Sequence, residues 1–401
     1  MSIEVVLYTL YPIPYTQNKE ELYVAKHYLM TPGPTPVPEE IRQEMARPMI
    51  HHRTKEYQAI FKDATEGLKK IFKTSGDVFT FTSSGTGAME ASIVNILSPG
   101  DRIVVVRGGK FGERFGDIAK AYGVQVIPID VEWGTAPKPE AIRDALKANP
   151  GVKAVYTTLC ETSTATVYDI KAAGEILKGT ETLLVVDVIS GLGADDFEND
   201  AWGVDIAICG SQKGLMIPPG LAFCTVSQKA WRSVETSKLP KFYFNFKKYK
   251  KSYLDTDTPF TSAITLVIGL KKAVEMINKK GIDSVIREHR NMSMAVRSAA
   301  GALGLEIFSR SPSSAVTGVK TPEGMDADAL IKILKTEFGV TFAGGQEQLK
   351  GKIFRVAHMG GIDEEHTVEA VKALEQGLAK LGHKFKPGAG VDAAKNILSK
   401  K

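Results

Sequence analysis

Short apolar runs alternate with longer amphipathic segments through the middle of this 401-residue chain. The apolar runs fall at residues 78–82, 102–106, 124–128, 154–158, 183–188, 206–210 and 221–226, and the first four are separated by segments with helical spacing at 88–97, 115–122 and 139–148. Strand, helix and strand repeated in this order predict right-handed βαβ crossovers. We therefore expect an α/β fold with a mostly parallel sheet covered by helices on both faces.

The pattern changes after a predicted helix at residues 263–280. A long helix from about 282 to 303 is followed by a looser mixture of strands and helices, with the helices at 326–338 and about 364–381. This indicates a smaller C-terminal α+β domain. The predicted organisation is an N-terminal arm (1–28), a large domain (29–280) and a small domain (281–401), with a loosely held tail at 388–396.

Composition and net charge exclude several classes of partner and site. The apolar fraction of 43% suffices for a large core, and a net charge of +5 gives no reason to expect nucleic acid or a membrane surface as partner. No secretory signal and no transmembrane run are recognisable, so a cytoplasmic protein is expected. Cys160, Cys209 and Cys224 have no C-x-x-C spacing, which predicts reduced core thiols and no metal site.

Two charged residues lie within or shortly after apolar runs. Lys213 follows the run at 206–210, and Asp187 lies within the run at 183–188. An amine can hold a cofactor aldehyde as a Schiff base, and a carboxylate can keep a pyridine nitrogen protonated. The pair suggests a pyridoxal phosphate site, although a lysine chosen from 51 Lys and Arg residues is usually on the surface.

Residues 80–92 have the pattern of a strand, a glycine-containing turn and a helix start. Ser84, Gly85 and Thr86 would present N–H groups and hydroxyls at a helix N-terminus, where a phosphate is favoured. A plain N-cap is the alternative. The third glycine of a dinucleotide fingerprint and the Gly-Lys-Ser/Thr of a Walker motif are both absent, whereas one phosphate monoester suits one helix N-terminus.

Seven motifs together carry a resemblance to a known family. They are LMTPGPTPVP (29–38), SSGTGAMEA (83–91), GKFGER (109–114), ETSTA (161–165), VDVIS (186–190), GSQKG (210–214) and FRVAHMG (354–360). Over roughly residues 28–383 the chain resembles the class V aminotransferases of pyridoxal phosphate fold type I. Within them it resembles the serine–pyruvate and alanine–glyoxylate aminotransferase group.

The resemblance implies the cofactor contacts. Lys213 corresponds to the Schiff-base lysine and Asp187 to the partner of the pyridine nitrogen. The phosphate ligands correspond to Ser84, Gly85, Thr86 and Gln212. Ser163 has the position of a hydroxyl near the ring, and Phe111 that of the aromatic residue, often Trp, that stacks on the pyridine.

The resemblance also implies substrate and subunit contacts. Arg355 corresponds to the arginine that clamps the substrate carboxylate, with a structural salt bridge as the alternative. Gly33 lies in the loop that approaches the substrate. Thr258 implies a homodimer, since in the family it reaches the neighbouring subunit's phosphate. Asp255 aligns with a family tyrosine that also reaches the neighbouring subunit's phosphate, so the role of that tyrosine is not carried over to this chain.

The expected activity is a ping-pong transamination of a small amino acid, alanine or serine, with glyoxylate or pyruvate. Aspartate or an aminophosphonate remains open as donor. Cysteine desulfuration is not favoured, because Cys224, the last cysteine, lies in a predicted strand. The basic and aromatic segment 241–253 could bind nucleic acid, but a structural or dimer-edge role is favoured, and no nucleic acid or membrane partner is expected.

Overall fold

The computed structural model describes residues 27–400. Its strands are β1 (Tyr28–Leu29), β2 (Asp77–Thr82), β3 (Arg102–Arg107), β4 (Gln125–Asp130), β5 (Ala154–Thr158), β6 (Cys160–Glu161), β7 (Thr166–Val167), β8 (Leu183–Asp187), β9 (Ile206–Gly210), β10 (Leu221–Val226), β11 (Val316–Lys320), β12 (Val340–Thr341), β13 (Ala343–Gly344) and β14 (Ile353–Ala357).

The helices between these strands are α1 (Glu39–Met45), α2 (Lys55–Phe72), α3 (Gly85–Ile96), α4 (Lys110–Ala121), α5 (Pro139–Ala148), α6 (Ile170–Leu177), α7 (Gln228–Thr236), α8 (Phe246–Leu254), α9 (Ile264–Lys280), α10 (Ile282–Ala302), α11 (Ala327–Phe338), α12 (Glu364–Lys380) and α13 (Ala389–Leu398). A 3-10 turn spans Glu347–Leu349.

The main sheet has seven strands in the order β2-β10-β9-β8-β5-β3-β4. Strand β10 is antiparallel to both β2 and β9, and the remaining pairs are parallel. Because the inner strands are buried on both faces, their residues form continuous apolar runs. The predicted α/β fold with a mostly parallel sheet is confirmed.

Two hydrophobic clusters cover the two faces of this sheet. One includes residues of α1, α2, α6 and α9, and the other includes residues of α3, α4, α7 and α8. Helices α3 and α4 begin three and five residues before the predicted starts at 88 and 115, because their first turns carry glycine and polar residues that interrupt the apolar spacing. These first turns face the candidate site described below.

The C-terminal part of the chain has its own core. A three-stranded sheet, β11-β14-β13, packs with α10, α11, α12 and α13 around a third hydrophobic cluster. The prediction of a loosely held tail was wrong: residues 389–398 form α13, which buries Ala394 and Leu398 against this core. The glycine- and alanine-rich sequence concealed a short amphipathic helix.

The start of the described chain also joins this C-terminal core. Strand β1 pairs in parallel with β12, and Met30 is buried in the third cluster. Most of the predicted arm, residues 1–26, lies outside the described residues. The domain bounds and the cytoplasmic location stay predictions. Within residues 27–400, no helix combines the length and hydropathy needed to cross a bilayer.

Candidate active site

The carboxyl ends of three strands meet at one edge of the main sheet. Strands β2, β8 and β9 run in the same direction, since β10 is antiparallel to both β2 and β9. Helix α3 follows β2, Asp187 ends β8, and Lys213 follows β9 by three residues. The topology therefore brings together the three segments that the sequence singled out, at the edge where parallel α/β sheets bind ligands.

The Lys213 side chain is buried, with 9% of its surface exposed, and its amine donates a hydrogen bond to the main-chain carbonyl of Pro32. Burial lowers the pKa of this amine to about 8, and the charge of Asp187 partly opposes that effect. Because the pKa lies near neutrality, an appreciable fraction of the amine is unprotonated and nucleophilic.

Gly33 lies directly against the Lys213 side chain. A Cβ atom at this position would be 2.5 Å from both Cδ and Nζ of the lysine. The glycine also has φ = +125°, a conformation that other residues rarely adopt. Only glycine leaves room here for the lysine.

The Asp187 carboxylate is buried and accepts a hydrogen bond of 2.7 Å from the Ile189 N–H. Burial raises its pKa to about 7, against the opposing effect of that hydrogen bond. It has no ion-pair partner within residues 27–400. A buried carboxylate in this state is suited to a cationic N–H donor such as a protonated pyridine.

The N-terminus of α3 has unused hydrogen-bonding capacity. Ser84 occupies the N-cap position, but its side chain makes no capping bond, so the plain N-cap alternative is not what the structure shows. In the described part of the chain, the N–H groups of Gly85 and Thr86 donate to no protein acceptor. The Gln212 Oε1 is buried without a partner, and a flip of its carboxamide presents an NH₂ donor instead. These groups fit a phosphate.

A buried acid organises the loop next to this edge. Both Phe111 N–H and Gly112 N–H donate to Glu161 Oε2, at 3.1 and 2.9 Å. The Ser163 hydroxyl donates to Glu161 Oε1 at 2.6 Å and accepts from the Lys110 N–H at 3.1 Å. Burial raises the pKa of Glu161, while these hydrogen bonds act in the opposite direction. Glu161 therefore fixes the start of α4, with Phe111, against the loop with Ser163.

Sequence reasoning assigned no role to Glu161. The available signal was an acid three residues after the apolar run at 154–158, in the ETSTA motif, where only Ser163 was assigned a role. A carboxylate at such a position cannot be buried without several donors.

Arg355 lies in β14 and is 5% exposed. Its Nε–H donates to the Gly344 carbonyl at 2.9 Å and its Nη1–H to the Thr162 carbonyl at 2.8 Å. Two of the five guanidinium N–H groups are thus used and three remain. It forms no ion pair in the described chain, so the salt-bridge alternative is not observed. Burial lowers its pKa to about 10, so the group stays charged at neutral pH.

Within the described chain, Thr258 makes no hydrogen bond to Lys213, Asp187 or the first turn of α3. It is buried, its hydroxyl donates to the Phe260 carbonyl at 2.8 Å, and its own carbonyl accepts from Arg53 at 2.8 Å. Asp255 is exposed at the end of α8.

Segment 241–253 packs on the main domain through several of its residues. The Lys241 amine binds Ser237 and Leu239, Lys250 binds Asp77, and Phe246 is fully buried. These contacts agree with a structural role for the segment.

A sequence model of the family described as Aminotransferase class-V matches residues 27–360 of this chain. That is most of the chain, and it contains all seven motifs.

Three relatives illustrate the similarity. A protein named "soluble hydrogenase, small subunit" of Synechococcus is 42% identical, with 93% of this chain and 99% of that protein covered. The L-aspartate–glyoxylate aminotransferase of Paracoccus denitrificans is 36% identical, with 91% and 94% covered. The crystal structure of an alanine–glyoxylate aminotransferase from Nostoc superposes with a TM-score of 0.85 at 29% identity, covering 90% of this chain and 97% of that one.

Proposed function

This chain belongs to the class V aminotransferases, and on that premise we propose that it transfers the amino group of a small amino acid to a 2-oxo acid with pyridoxal phosphate as cofactor. The observation that carries the proposal is the buried Lys213 amine on the same sheet edge as the buried Asp187 and the open N-terminus of α3. When bound, the cofactor supplies an electron-withdrawing ring that stabilises charge at the substrate α-carbon.

In this proposal Lys213 is the covalent anchor and the proton carrier. Lys213 would hold the cofactor aldehyde, and its amine, once free, would act as the general base and acid that moves the proton at the substrate α-carbon. A pKa of about 8 suits both steps, since the amine can accept and release a proton near neutral pH. Asp187 holds the proton on the pyridine nitrogen.

Other residues hold and orient the ligands. Ser84, Gly85, Thr86 and Gln212 bind the phosphate, Phe111 packs on the ring, and Ser163 lies near it. Arg355 receives the substrate carboxylate on its three remaining N–H groups, which fixes the α-carbon relative to Lys213. Gly33 leaves the lysine room to move between cofactor and substrate.

We propose alanine or serine as donor and glyoxylate or pyruvate as acceptor. The similarity to an alanine–glyoxylate aminotransferase supports this choice. The similarity to an aspartate–glyoxylate aminotransferase favours aspartate as the second candidate donor. Single-turnover titration with each amino acid separates the two, because only the true donor converts the bound cofactor at micromolar to millimolar concentration.

We also propose a homodimer in which Thr258 of each subunit completes the phosphate site of the other. Two observations support it. In the described chain, the Thr258 hydroxyl donates to the Phe260 carbonyl and to none of the proposed cofactor-binding groups, and Phe242, which packs on Phe260, is 71% exposed. An exposed aromatic ring of this kind is typical of an interface.

The deciding experiment is the absorbance spectrum of the purified protein with added pyridoxal phosphate. We expect a visible band that bleaches with the amino donor and is absent in Lys213→Ala. Lys229→Ala is the matched control, because Lys229 is also partly buried but is bound to Asp205 at 3.1 Å; it should retain the band. A wild-type protein that takes up no cofactor would contradict the proposed function.

A further inference from the structure

Every phosphate ligand that the sequence indicates is uncharged. The set comprises Ser84, Gly85, Thr86, Gln212 and Thr258. A phosphate monoester carries a charge of about −1.5 to −2 at neutral pH, and a helix N-terminus offsets only about half a charge. Such a dianion in a partly buried site needs a further positive group.

Arg114 is the cation placed to meet this need. It lies in α4, one turn after Phe111, and its Nη1–H donates to the Thr86 hydroxyl oxygen at 3.1 Å. Because the guanidinium occupies a lone pair of this oxygen, the Thr86 hydroxyl hydrogen is free to be donated to an anion. The arginine is thus fixed to the phosphate-binding turn itself.

The same guanidinium packs on the predicted stacking ring. The Arg114 Cζ lies 5.0 Å from the centroid of the Phe111 ring, within the range of a cation–π contact. Phenylalanine has no polar edge with which to fix its orientation, so this contact holds the ring next to the first turn of α3.

Within the described chain no carboxylate pairs directly with Arg114, whose charge acts on the buried Asp187 only by lowering its pKa from a distance. In residues 27–400 the arginine forms no ion pair, and the acid beside it, Glu113, lies 3.7 Å from the Lys110 amine instead. Arg114 is only partly exposed, and its guanidinium makes one hydrogen bond to a protein group. Four N–H donors of a half-buried arginine therefore remain available beside the phosphate turn.

We propose that Arg114 is an unassigned cofactor-binding residue, the positive charge that neutralises the 5′-phosphate of pyridoxal phosphate. This proposal rests on the proposed function, since Arg114 would act at the same site. A charge-assisted hydrogen bond to a phosphate contributes more than one to a neutral group, which corresponds to a loss of roughly tenfold or more in affinity when it is removed.

The test compares pyridoxal phosphate with pyridoxal, which has the same ring and aldehyde but no phosphate. Apo wild type, Arg114→Met and Arg114→Lys are titrated with each compound by absorbance. We expect Arg114→Met to weaken pyridoxal phosphate binding at least about tenfold and pyridoxal binding less than about threefold. Arg114→Lys should recover part of the loss, because it keeps the charge but not the planar fork.

A second measurement needs no aldehyde chemistry. Inorganic phosphate competes with pyridoxal phosphate for the apo wild type, and its inhibition constant should rise at least about tenfold in Arg114→Met. Arg143→Met is the matched control, because Arg143 is an exposed arginine in the middle of the neighbouring helix α5. Thermal unfolding of both apo variants establishes that they are folded.

Three outcomes are informative. Equal loss of pyridoxal and pyridoxal phosphate affinity would mean that Arg114 acts only by holding Phe111, which overturns the proposal. Unchanged binding of both compounds and of phosphate also overturns it. If the wild type binds no pyridoxal phosphate at all, the proposed function itself fails, so the two failures are distinguishable.

Discussion

The Nη1–H of Arg355 and the carbonyl oxygen of Thr162 are joined by a hydrogen bond of 2.8 Å. It links β14 of the C-terminal sheet to the loop that carries Glu161 and Ser163. A second bond, from Arg355 Nε–H to the Gly344 carbonyl, holds the other side of the guanidinium. These two contacts hold the guanidinium in one orientation.

We expect Arg355→Lys to lower kcat/KM about 100-fold or more, mainly through KM, because a lysine cannot keep both carbonyl contacts and also hold a carboxylate in two places. Steady-state kinetics with the amino donor measures this. A primary amine that lacks the carboxylate is the control and should lose little. An equal loss of kcat/KM with both compounds would show that Arg355 does not act through the substrate carboxylate.

Gly33→Ala should reduce kcat about 100-fold, because the added Cβ overlaps the Lys213 side chain and displaces its amine. Gly382→Ala is the matched control, since Gly382 also has a positive φ but has open space around its Cα. Both variants carry backbone strain, and only the first is expected to lose turnover. A fully active Gly33→Ala enzyme would show that the lysine does not need this space.

Glu161→Ala should lower the free energy of unfolding by about 3 kcal/mol or more, because it leaves the N–H groups of Phe111 and Gly112 and the hydroxyl of Ser163 without an acceptor. Glu161→Gln keeps one acceptor oxygen and should cost less. Urea unfolding of the apo proteins measures both differences. If the two variants are equally stable, the hydrogen bonds are not what holds the loop.

Asp187→Asn should stabilise the apo protein in a pH-dependent way. The pKa of Asp187 is raised from 3.8 to about 7, so between these values the folded state binds a proton that the unfolded chain has released. The wild type therefore loses stability as pH rises from about 4 to 7, and Asn avoids this loss. The advantage of the variant should grow across that window to at most about 4 kcal/mol and then level off.

The measurement is the difference in unfolding free energy between the two apo proteins at several pH values. A difference that stays constant from pH 4 to 8 would show that folding does not raise the pKa of Asp187. In the same variant the cofactor affinity should fall, because the pyridine nitrogen loses its charged partner.

Phe242→Glu should weaken the proposed dimer. The Phe242 ring is 71% exposed and packs on Phe260, whose carbonyl accepts from the Thr258 hydroxyl, so a charge there would oppose burial in a subunit interface. Analytical ultracentrifugation over a range of concentrations measures the dimer constant. Met294→Glu is the control, since Met294 is another exposed apolar residue but lies on α10 in the C-terminal part. If Phe242→Glu leaves the dimer constant unchanged, the subunit interface does not include Phe242.

Strand positions were predictable from the sequence because buried parallel strands consist of apolar runs. Strands β5, β9 and β10 have the predicted bounds. Helix starts were less predictable: the first turns of α3 and α4 face the site, and their Gly and polar residues carry no apolar spacing. The apolar spacing is thus lost at the positions where these helices meet the candidate site.

The placement of residues at the candidate site was predictable where a motif exists, as for Lys213 and Asp187, which lie at neighbouring strand ends. It was not predictable where a residue acts through contacts distant in sequence. Glu161 receives two of its donors, the N–H groups of Phe111 and Gly112, from residues about 50 positions earlier, and Arg114 reaches Thr86 across 28 positions. Such contacts depend on which strand ends become neighbours, which the local pattern does not contain.

The strand order β2-β10-β9 sets the distance between the ends of β2 and β9. Neighbouring strands are about 4.8 Å apart, so the turn after β2 and the segment after β9 begin about 10 Å from one another. The one antiparallel strand of this sheet separates the two segments. If the proposed function is correct, this separation limits the size of the cofactor that can be held between Lys213 and the first turn of α3.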